Sequence, residues 1–363
     1  MNPKDILDSA VRVKKSTGKS IVSQLGEALR LRLSPSALSP SEYYEYHLFD
    51  DAIAFAHKQQ FIGWRRSSEL DRSLNADNWR AYANDKLLFH EFLHGRGFPL
   101  PRIRATYNTS RRHFDGAVCL VDQDSVGDYL RRKAIYPLFV KPIVGSFGRG
   151  AMELLRYRSD DDCVVLSNDE TVAMQELLEG FDFGPFEGQL FQDVLQNDPL
   201  ISERCGDRVC SVRVCVVLRS TGPAIVYTVW KISTGRNMTD NLAGGKVGNL
   251  TGWVDAATGT VERVARGMGT DYEEVTDHPD TGQRLLGFQL PGWSHAMDLC
   301  LSAATALPGL RLQNWDIVLS DSGPLLLEVN TETDFGPDQL YGRRGFLPQL
   351  KVASRDKVQT GTE

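Results

Sequence analysis

No uninterrupted apolar run in the 363 residues reaches ten, so no segment is long enough to cross a bilayer as a helix. The N-terminal MNPKDILDSAVRVKK has no apolar core of the kind a secretory signal carries, and the expected compartment is the cytoplasm. A basic excess is missing too. The net charge is −6, which argues against broad affinity for nucleic acid. The six cysteines (Cys119, Cys163, Cys205, Cys210, Cys215, Cys300) include no C-x-x-C pair and no histidine at zinc-site spacing. Cys205, Cys210 and Cys215 recur every five residues, a spacing that suits neither a metal knuckle nor one face of a strand. They read as reduced, mostly buried thiols. Repeats and low-complexity tracts are absent, and no Ser-His-Asp or Cys-His arrangement offers a side-chain nucleophile.

What remains is an ordinary soluble composition, 41% hydrophobic and 24% charged, in a chain long enough for two or three subdomains. Residues 1–60 show helical periodicity in ILDSAVRVKK, IVSQLGEALRLRL and LFDDAIAFAHKQQF, interrupted by the Pro- and Ser-rich SPSALSPSEYYEY. Tyr43, Tyr44 and Tyr46 in that interruption read as packing groups. Residues 61–136 are mixed, with Asn84 placed to cap the helix DKLLFHEFLHGRG. From 137 the chain turns to strands (PLFVKPIV, AMELLRY, CVVLSN), then the helix DETVAMQELLEG and the strand QLFQDVL, closing a unit at 195. Residues 196–350 carry the strands RVCSVRVCVVLR and AIVYTVWKI, the helix WSHAMDLCLSAATAL and a terminal hairpin; 351–363 is a polar tail. Helices and strands mix without regular βαβ alternation, so the fold class is α+β.

Three stretches carry chemistry. In FVKPIVGSFGRGA a strand ending at Lys141 runs into a loop with Gly145, Ser146, Gly148 and Gly150. Glycines let backbone N–H groups approach an anion closely, and the lysine adds a point charge. The spacing there is neither G-x-x-x-x-G-K-[ST] nor G-x-G-x-x-G. Second, Arg213 and Lys231 sit inside apolar strands, where unpaired cations are costly, followed by Asp240, Asn241 and the glycines of TDNLAGG. They either extend their heads to solvent or point into an anion site. Third, LQNWDIVLSDSGPLLLEVN places Asp316, Glu328 and Asn330 beside strand-like apolar runs. Glu328 and Asn330, two apart, share a face, and such oxygen donors suit Mg²⁺ or Mn²⁺.

Taken in order, these features resemble the ATP-grasp superfamily. Asn84-Asp85-Lys86 before GFPLP, SVRV at 211–214, DNLAGG at 240–245, HPDTG at 278–282, LPGW at 290–293 and NWDI at 314–317 look like its sugar-transfer-associated branch, related to α-L-glutamate ligases. The resemblance spans roughly residues 40–350. It implies two α+β subdomains clasping ATP, a small one over 137–195 and a large one over 196–350, with a helical N-terminal extension. It implies that Lys86, Lys141 and the glycine flap contact phosphates, and that Gln192, Asp193, Val194 and Leu195 form a hinge contacting adenine and ribose. Asp240 is implied at the nucleotide. Arg213, Lys231 and Asn241 would face the γ-phosphate and an acyl phosphate, and Asp316, Glu328 and Asn330 would hold the metal. Lys231 stands where the family pattern leads one to expect Arg, which supplies a bidentate fork that lysine lacks.

The implied activity is ATP-dependent ligation of a carboxylate to an amine through an acyl phosphate, releasing ADP and phosphate. A kinase on the same fold, with Asp334 or His278 as base, and a nucleotide-binding regulatory subunit are the alternatives. The expected partners are small-molecule carboxylate and amine substrates, with a homodimer admissible and neither nucleic acid nor a membrane span. The hairpin also carries a geometric expectation. Asp316 meets Glu328 only if the two positions oppose each other, which in a regular ladder requires an odd-numbered loop, preferably Ser320 through Pro324.

Overall fold

The computed structural model describes residues 3–145, 148–181, 187–235, 237, 240 and 247–355. Its N-terminal layer is helical. In it α1 (Pro3–Thr17) is followed by α2 (Ile21–Arg32), which Ser20 caps by accepting the Ser23 N–H. The SPSALSPSEYYEY stretch is not simply a break, because α3 (Pro40–Glu45) forms within it. Pro40 enters where an N–H is not needed, Ser39 accepts the Glu42 N–H, and the Glu42 carboxylate returns to the Ser39 N–H. Conversely, the helix expected over 48–61 contracts to α4 (Phe55–Lys58). The Asp50 carboxylate takes the Ala52 N–H, a local bond that competes with a helical one. Tyr43, Tyr44 and Tyr46 are buried packing groups. Beneath them Glu27 gathers Lys19, Lys58 and the Tyr43 hydroxyl.

After α5 (Trp64–Leu74) and α6 (Ala81–Asn84) comes α7 (Lys86–His94). Asp85, rather than Asn84, caps α7. Its Oδ1 accepts the Leu88 N–H at 2.9 Å, and Arg112 grips the same carboxylate at 2.6 and 2.9 Å.

The first sheet contains β1 (Ile103–Tyr107), β2 (Val118–Leu120), β3 (Leu138–Pro142), β4 (Met152–Arg158), β5 (Cys163–Leu166), β6 (Thr171–Ala173) and β7 (Gln189–Asp193), in the order β2-β1-β7-β3-β4-β5-β6. Its strands therefore come from both sides of residue 137. One face packs Leu138, Val140, Leu154 and Phe191 against α8 (Gln123–Arg132) and α9 (Met174–Glu179). The segment expected as one helix over 169–180 divides into β6 and α9, with the β-branched pair Thr171-Val172 on the strand side.

A short helix, α10 (Pro199–Cys205), leads to the second sheet. That sheet contains β8 (Ser211–Arg219), β9 (Gly222–Ile232), β10 (Leu250–Val254), β11 (Val261–Arg266), β12 (Glu273–Val275), β13 (Leu312–Ser320) and β14 (Gly323–Asn330), in the order β12-β11-β10-β9-β8-β13-β14. Alternation along these strands sorts the residues. Val212, Trp230, Trp315, Ile317, Leu326 and Val329 share a core with Ala296, Met297 and Cys300 of α11 (Trp293–Thr305). On the opposite face Tyr227 and Trp253 stack on Phe346, between α12 (Gly336–Gly342) and α13 (Leu347–Arg355). Cys215, Val217, Val229 and Leu312 extend that apolar cluster, and beside it the same face carries Ser211, Arg213, Lys231 and Asp316. Helix α7 joins the two sheets, since Phe89 and Leu93 belong to the second sheet's core and Leu87 packs with Ile103, Ile143 and Leu190.

Candidate active site

Asp316 does oppose Glu328, and Asn314 opposes Asn330. The loop is not the odd-numbered one expected. Ser320 pairs with Gly323 across Asp321 and Ser322 alone, and the register is restored by a bulge, Ile317 pairing with Leu326 so that Leu327 is the extra residue. Without that bulge a two-residue loop would set Asp316 against Leu327 and turn Glu328 to the core face. The burial pattern records the shift: Leu326 and Val329, three apart, both reach the core, while Leu327 and Glu328 between them stay partly exposed. Gly323 takes φ +110° at the turn exit, a conformation that suits glycine. Asp316, Glu328 and Asn330 thus share the polar face, where Asn330 Nδ2 donates to Glu328 Oε1 at 3.1 Å.

The same face carries the two strand cations. Asp316 opposes Arg213 on β8, and Ser211 opposes Lys231 on β9. Arg213 grips Asp316 with Nε and Nη2, both at 2.9 Å, and Lys231 Nζ donates to Asp316 Oδ2 at 3.1 Å. Lys231 also meets Asp240 Oδ1 at 3.2 Å, and Asp240 Oδ2 accepts the Ser211 N–H at 2.8 Å and the Ser211 hydroxyl. Burial alone would raise the Asp316 carboxyl, but the Arg213 and Lys231 charges outweigh it and hold the group at about 2. Burial works against the Lys231 ammonium as well, and Asp240 and Asp316 reverse it, so Lys231 is raised. Among the described residues Arg213 Nη1 makes no hydrogen bond, and about a third of its side chain, 32%, is exposed. Neither cation is merely snorkelling. Each is fixed with its charge retained.

Across from them lie two more lysines. Asp85 forms a bridge with Val144, and the Lys86 N–H donates to the Ile143 carbonyl at 3.0 Å, which draws the start of α7 against the exit of β3. Lys86 Nζ donates to the Gly145 carbonyl at 2.6 Å and lies 3.9 Å from Glu328 Oε2. Lys141 is half-buried, and among the described residues its ammonium has no hydrogen-bond or ion-pair partner. Desolvation pushes it down to about 8, with the Glu328 charge opposing that fall and Lys86 adding to it. Gly148 and Gly150 hold φ of +68° and +73° in the turn from β3 to β4.

The hinge is placed differently from expectation. Gln192 is buried, its amide nitrogen 3.2 Å from His90 Nε2. Asp193 opposes Leu138, whose face packs on α8, whereas Lys141 opposes Leu190 on the other face. The Asp193 carboxylate pairs with Arg104. Asp193 therefore stands on the wrong side of the sheet to join Lys141, because strand alternation turns it away. Val194 and Leu195 follow β7 half-buried, and Asn197 then clamps the crossing by accepting the Cys210 N–H at 3.0 Å and donating to the Arg208 carbonyl at 2.7 Å. Ser146 and Asn241 lie outside the described residues. Sequence reasoning missed Arg112, which orients the Asp85 cap beside Lys86, and Ser211, which anchors Asp240. An arginine in a loop and a serine at a strand start carry no pattern that marks them.

The face thus presents Lys86, Lys141, Arg213 and Lys231 against Asp240, Asp316 and Glu328. Among the described residues no group of three His, Cys, Asp or Glu side chains is arranged to hold a metal ion. Asp316 has spent three of its roughly four lone-pair sites on Arg213 and Lys231. Glu328 is the freer carboxylate. An ion here would draw on Glu328, Asn330, what remains of Asp316, and oxygens of its ligand, a donor set that suits Mg²⁺.

A family model described as sugar-transfer associated ATP-grasp matches residues 65–355. The comparison with curated proteins returned no match. Among solved structures, the chain is similar to the biotin carboxylase-beta-gamma-ATP complex from Campylobacter jejuni at 12% identity and TM-score 0.48, covering 79% of this chain and 50% of that one. It is similar to VanG D-Ala:D-Ser ligase from Enterococcus faecalis at 12% identity and TM-score 0.43, covering 77% and 63%. It is similar to an L-amino acid ligase from Bacillus licheniformis at 11% identity and TM-score 0.44, covering 83% and 57%. The chain thus spans between half and two thirds of the length of each of these structures.

Proposed function

Because the chain belongs to the sugar-transfer associated ATP-grasp family, we propose that it is an ATP-dependent carboxylate–amine ligase. The γ-phosphoryl group of ATP passes to a substrate carboxylate, and an amine then displaces phosphate from the acyl phosphate, leaving an amide, ADP and phosphate. The observation that carries this reading is Lys141, a half-buried ammonium with no partner among the described residues, set near Lys86 and Glu328. A desolvated cation of this kind is costly unless an anion completes it.

Lys86 and Lys141 bind the phosphates, and Gly145, Gly148 and Gly150 let backbone N–H groups approach them closely. Glu328 and Asn330, with the remaining capacity of Asp316, would hold Mg²⁺ or Mn²⁺, which when bound neutralises charge on the β- and γ-phosphates. Arg213 and Lys231, kept protonated by Asp316 and Asp240, supply positive charge where phosphoryl and carbonyl oxygens become more negative. The kinase alternative needs a base. His278 is committed elsewhere: Nε2 sits 3.0 Å from the Ser233 carbonyl and Nδ1 accepts the Asp280 N–H at 3.2 Å. Asp334 accepts the Gly336 N–H at 2.9 Å at the start of α12.

The test is ADP release over a panel of carboxylates and amines, read with product masses. A product with the mass of an amide, formed only with both substrates present, is expected. A stable phosphate ester on a substrate hydroxyl, with no amide formed when an amine is supplied, would contradict the proposal.

Lys141→Met should weaken ATP binding by about 1–3 kcal/mol, the worth of a charge-assisted hydrogen bond, with little effect on folding. A pH signature accompanies it. ATP binds the protonated lysine, and the free protein loses that proton above about pH 8. The wild-type Kd should therefore rise between about pH 7 and pH 9, with proton uptake on binding, while the variant stays flat. Calorimetry in buffers of different ionisation enthalpy reads both quantities. Equal affinity and equal pH dependence in the two proteins would remove Lys141 from the site.

A further inference from the structure

Helix α2 has two apolar sides. Gln24, Ala28 and Leu31 face inward and are buried. At about 100° per residue, Val22, Leu25, Leu29 and Leu33 fall within an arc of roughly 80° on the opposite side. These four side chains are 82, 46, 59 and 79% exposed, and Leu7 on the neighbouring α1 is 55% exposed. A surface helix ordinarily needs one apolar stripe. The second stripe on α2 is left largely exposed.

Charge indicates what covers it. Residues 1–33 hold seven Lys and Arg against three Asp and Glu, a net +4 in a chain of net −6, so the remaining 330 residues carry −10. Lys19 is consumed by Glu27 and Asp51, but Lys4, Lys14, Lys15, Arg30 and Arg32 are exposed around the same two helices. The exposed aliphatic stripe therefore lies within the cationic end of an otherwise acidic protein. Four or five aliphatic side chains on a stripe one helix wide fall well short of the roughly 800 Å² per partner that a stable dimer buries. Partial burial of such a stripe in a lipid headgroup layer needs no matching surface, and cations beside it favour anionic lipid. At 12 residues α2 is too short to span, and no helix among the described residues is long and apolar enough to cross a membrane.

We propose that the outer face of α2 docks the protein reversibly on an anionic lipid surface, with Val22, Leu25, Leu29 and Leu33 entering the headgroup layer and the flanking lysines and arginines meeting lipid phosphates. This goes beyond the reaction assigned above and does not depend on it.

The experiment is co-sedimentation of the full-length protein with vesicles of phosphatidylcholine alone and of phosphatidylcholine with roughly 30% phosphatidylserine. Binding to the anionic vesicles is expected, weakening as salt is added, with little binding to the neutral ones. The Leu25→Gln/Leu29→Gln variant should partition about tenfold less or weaker still, and Lys14→Gln/Lys15→Gln should bind less with a shallower salt dependence. Both variants should keep the wild-type melting temperature and ATP affinity. Absence of binding to anionic vesicles, or full binding by the double leucine variant, would overturn the proposal. So would sedimentation velocity showing a wild-type dimer that the leucine variant converts to monomer, since a second copy of the chain would then be the occupant.

Discussion

Asp316→Ala should lower stability by about 3–5 kcal/mol and abolish turnover together, because this carboxylate is the single partner shared by two strand cations. It is 3% exposed and takes three donors, two from Arg213 and one from Lys231. Removing it leaves the Arg213 guanidinium unpaired among the described residues, while Lys231 keeps Asp240 alone. The pH dependence has a defined sign. The Asp316 carboxyl is held at about 2, below its ordinary 3.8, so the folded state binds protons less readily than the unfolded chain. Its contribution is complete above about pH 4 and disappears as pH falls towards 2. Urea unfolding at neutral pH should show a large fall in midpoint for the variant, and the wild-type advantage should shrink through the acid window. A variant with the wild-type midpoint would show that the ion cluster does not hold these strands.

Glu328→Gln should behave in the opposite way, folding normally and losing turnover by about 10²–10³-fold. Glu328 is partly exposed, accepts from Asn330 at 3.1 Å and approaches Lys86 only at 3.9 Å. Little stability depends on its charge, since a separated, partly solvated pair contributes about 1 kcal/mol or less. Its proposed part is to hold a metal ion against the phosphates, and losing several kcal/mol of charge stabilisation at that point converts to the stated factor. Far-ultraviolet circular dichroism and thermal melting should match the wild type while Mg²⁺-dependent ADP release collapses. Full turnover in this variant would remove Glu328 from the reaction.

Much of this arrangement was legible in the sequence, for a reason specific to strands. Two-residue periodicity tells which residues of one strand share a face, so alternation by itself puts Glu328 with Asn330. The family resemblance added the residues that join them, and the family match over residues 65–355 establishes the family. What escaped depended on single-residue shifts. The bulge at Leu327 lets a two-residue loop achieve the pairing that regular alternation assigned to a longer one. The resemblance implies that Asp193 contacts the nucleotide, whereas strand parity places it with Leu138 on the α8 face. Asp85 took the cap from Asn84 because Arg112, distant in sequence, holds it there. Such contacts between remote loops leave no periodic trace.

The central claim is that the polar face of the β13–β14 hairpin, completed by Lys86 and Lys141, is a metal–nucleotide site. Its most direct measurement is the electron paramagnetic resonance titration of Mn²⁺ in the presence and absence of ATP, in wild type and in Glu328→Gln. The account predicts protein-bound Mn²⁺ that appears only with ATP and is lost in the variant while the protein remains folded. Mn²⁺ bound equally well by the variant, or no ATP-dependent binding by the wild type, would contradict it.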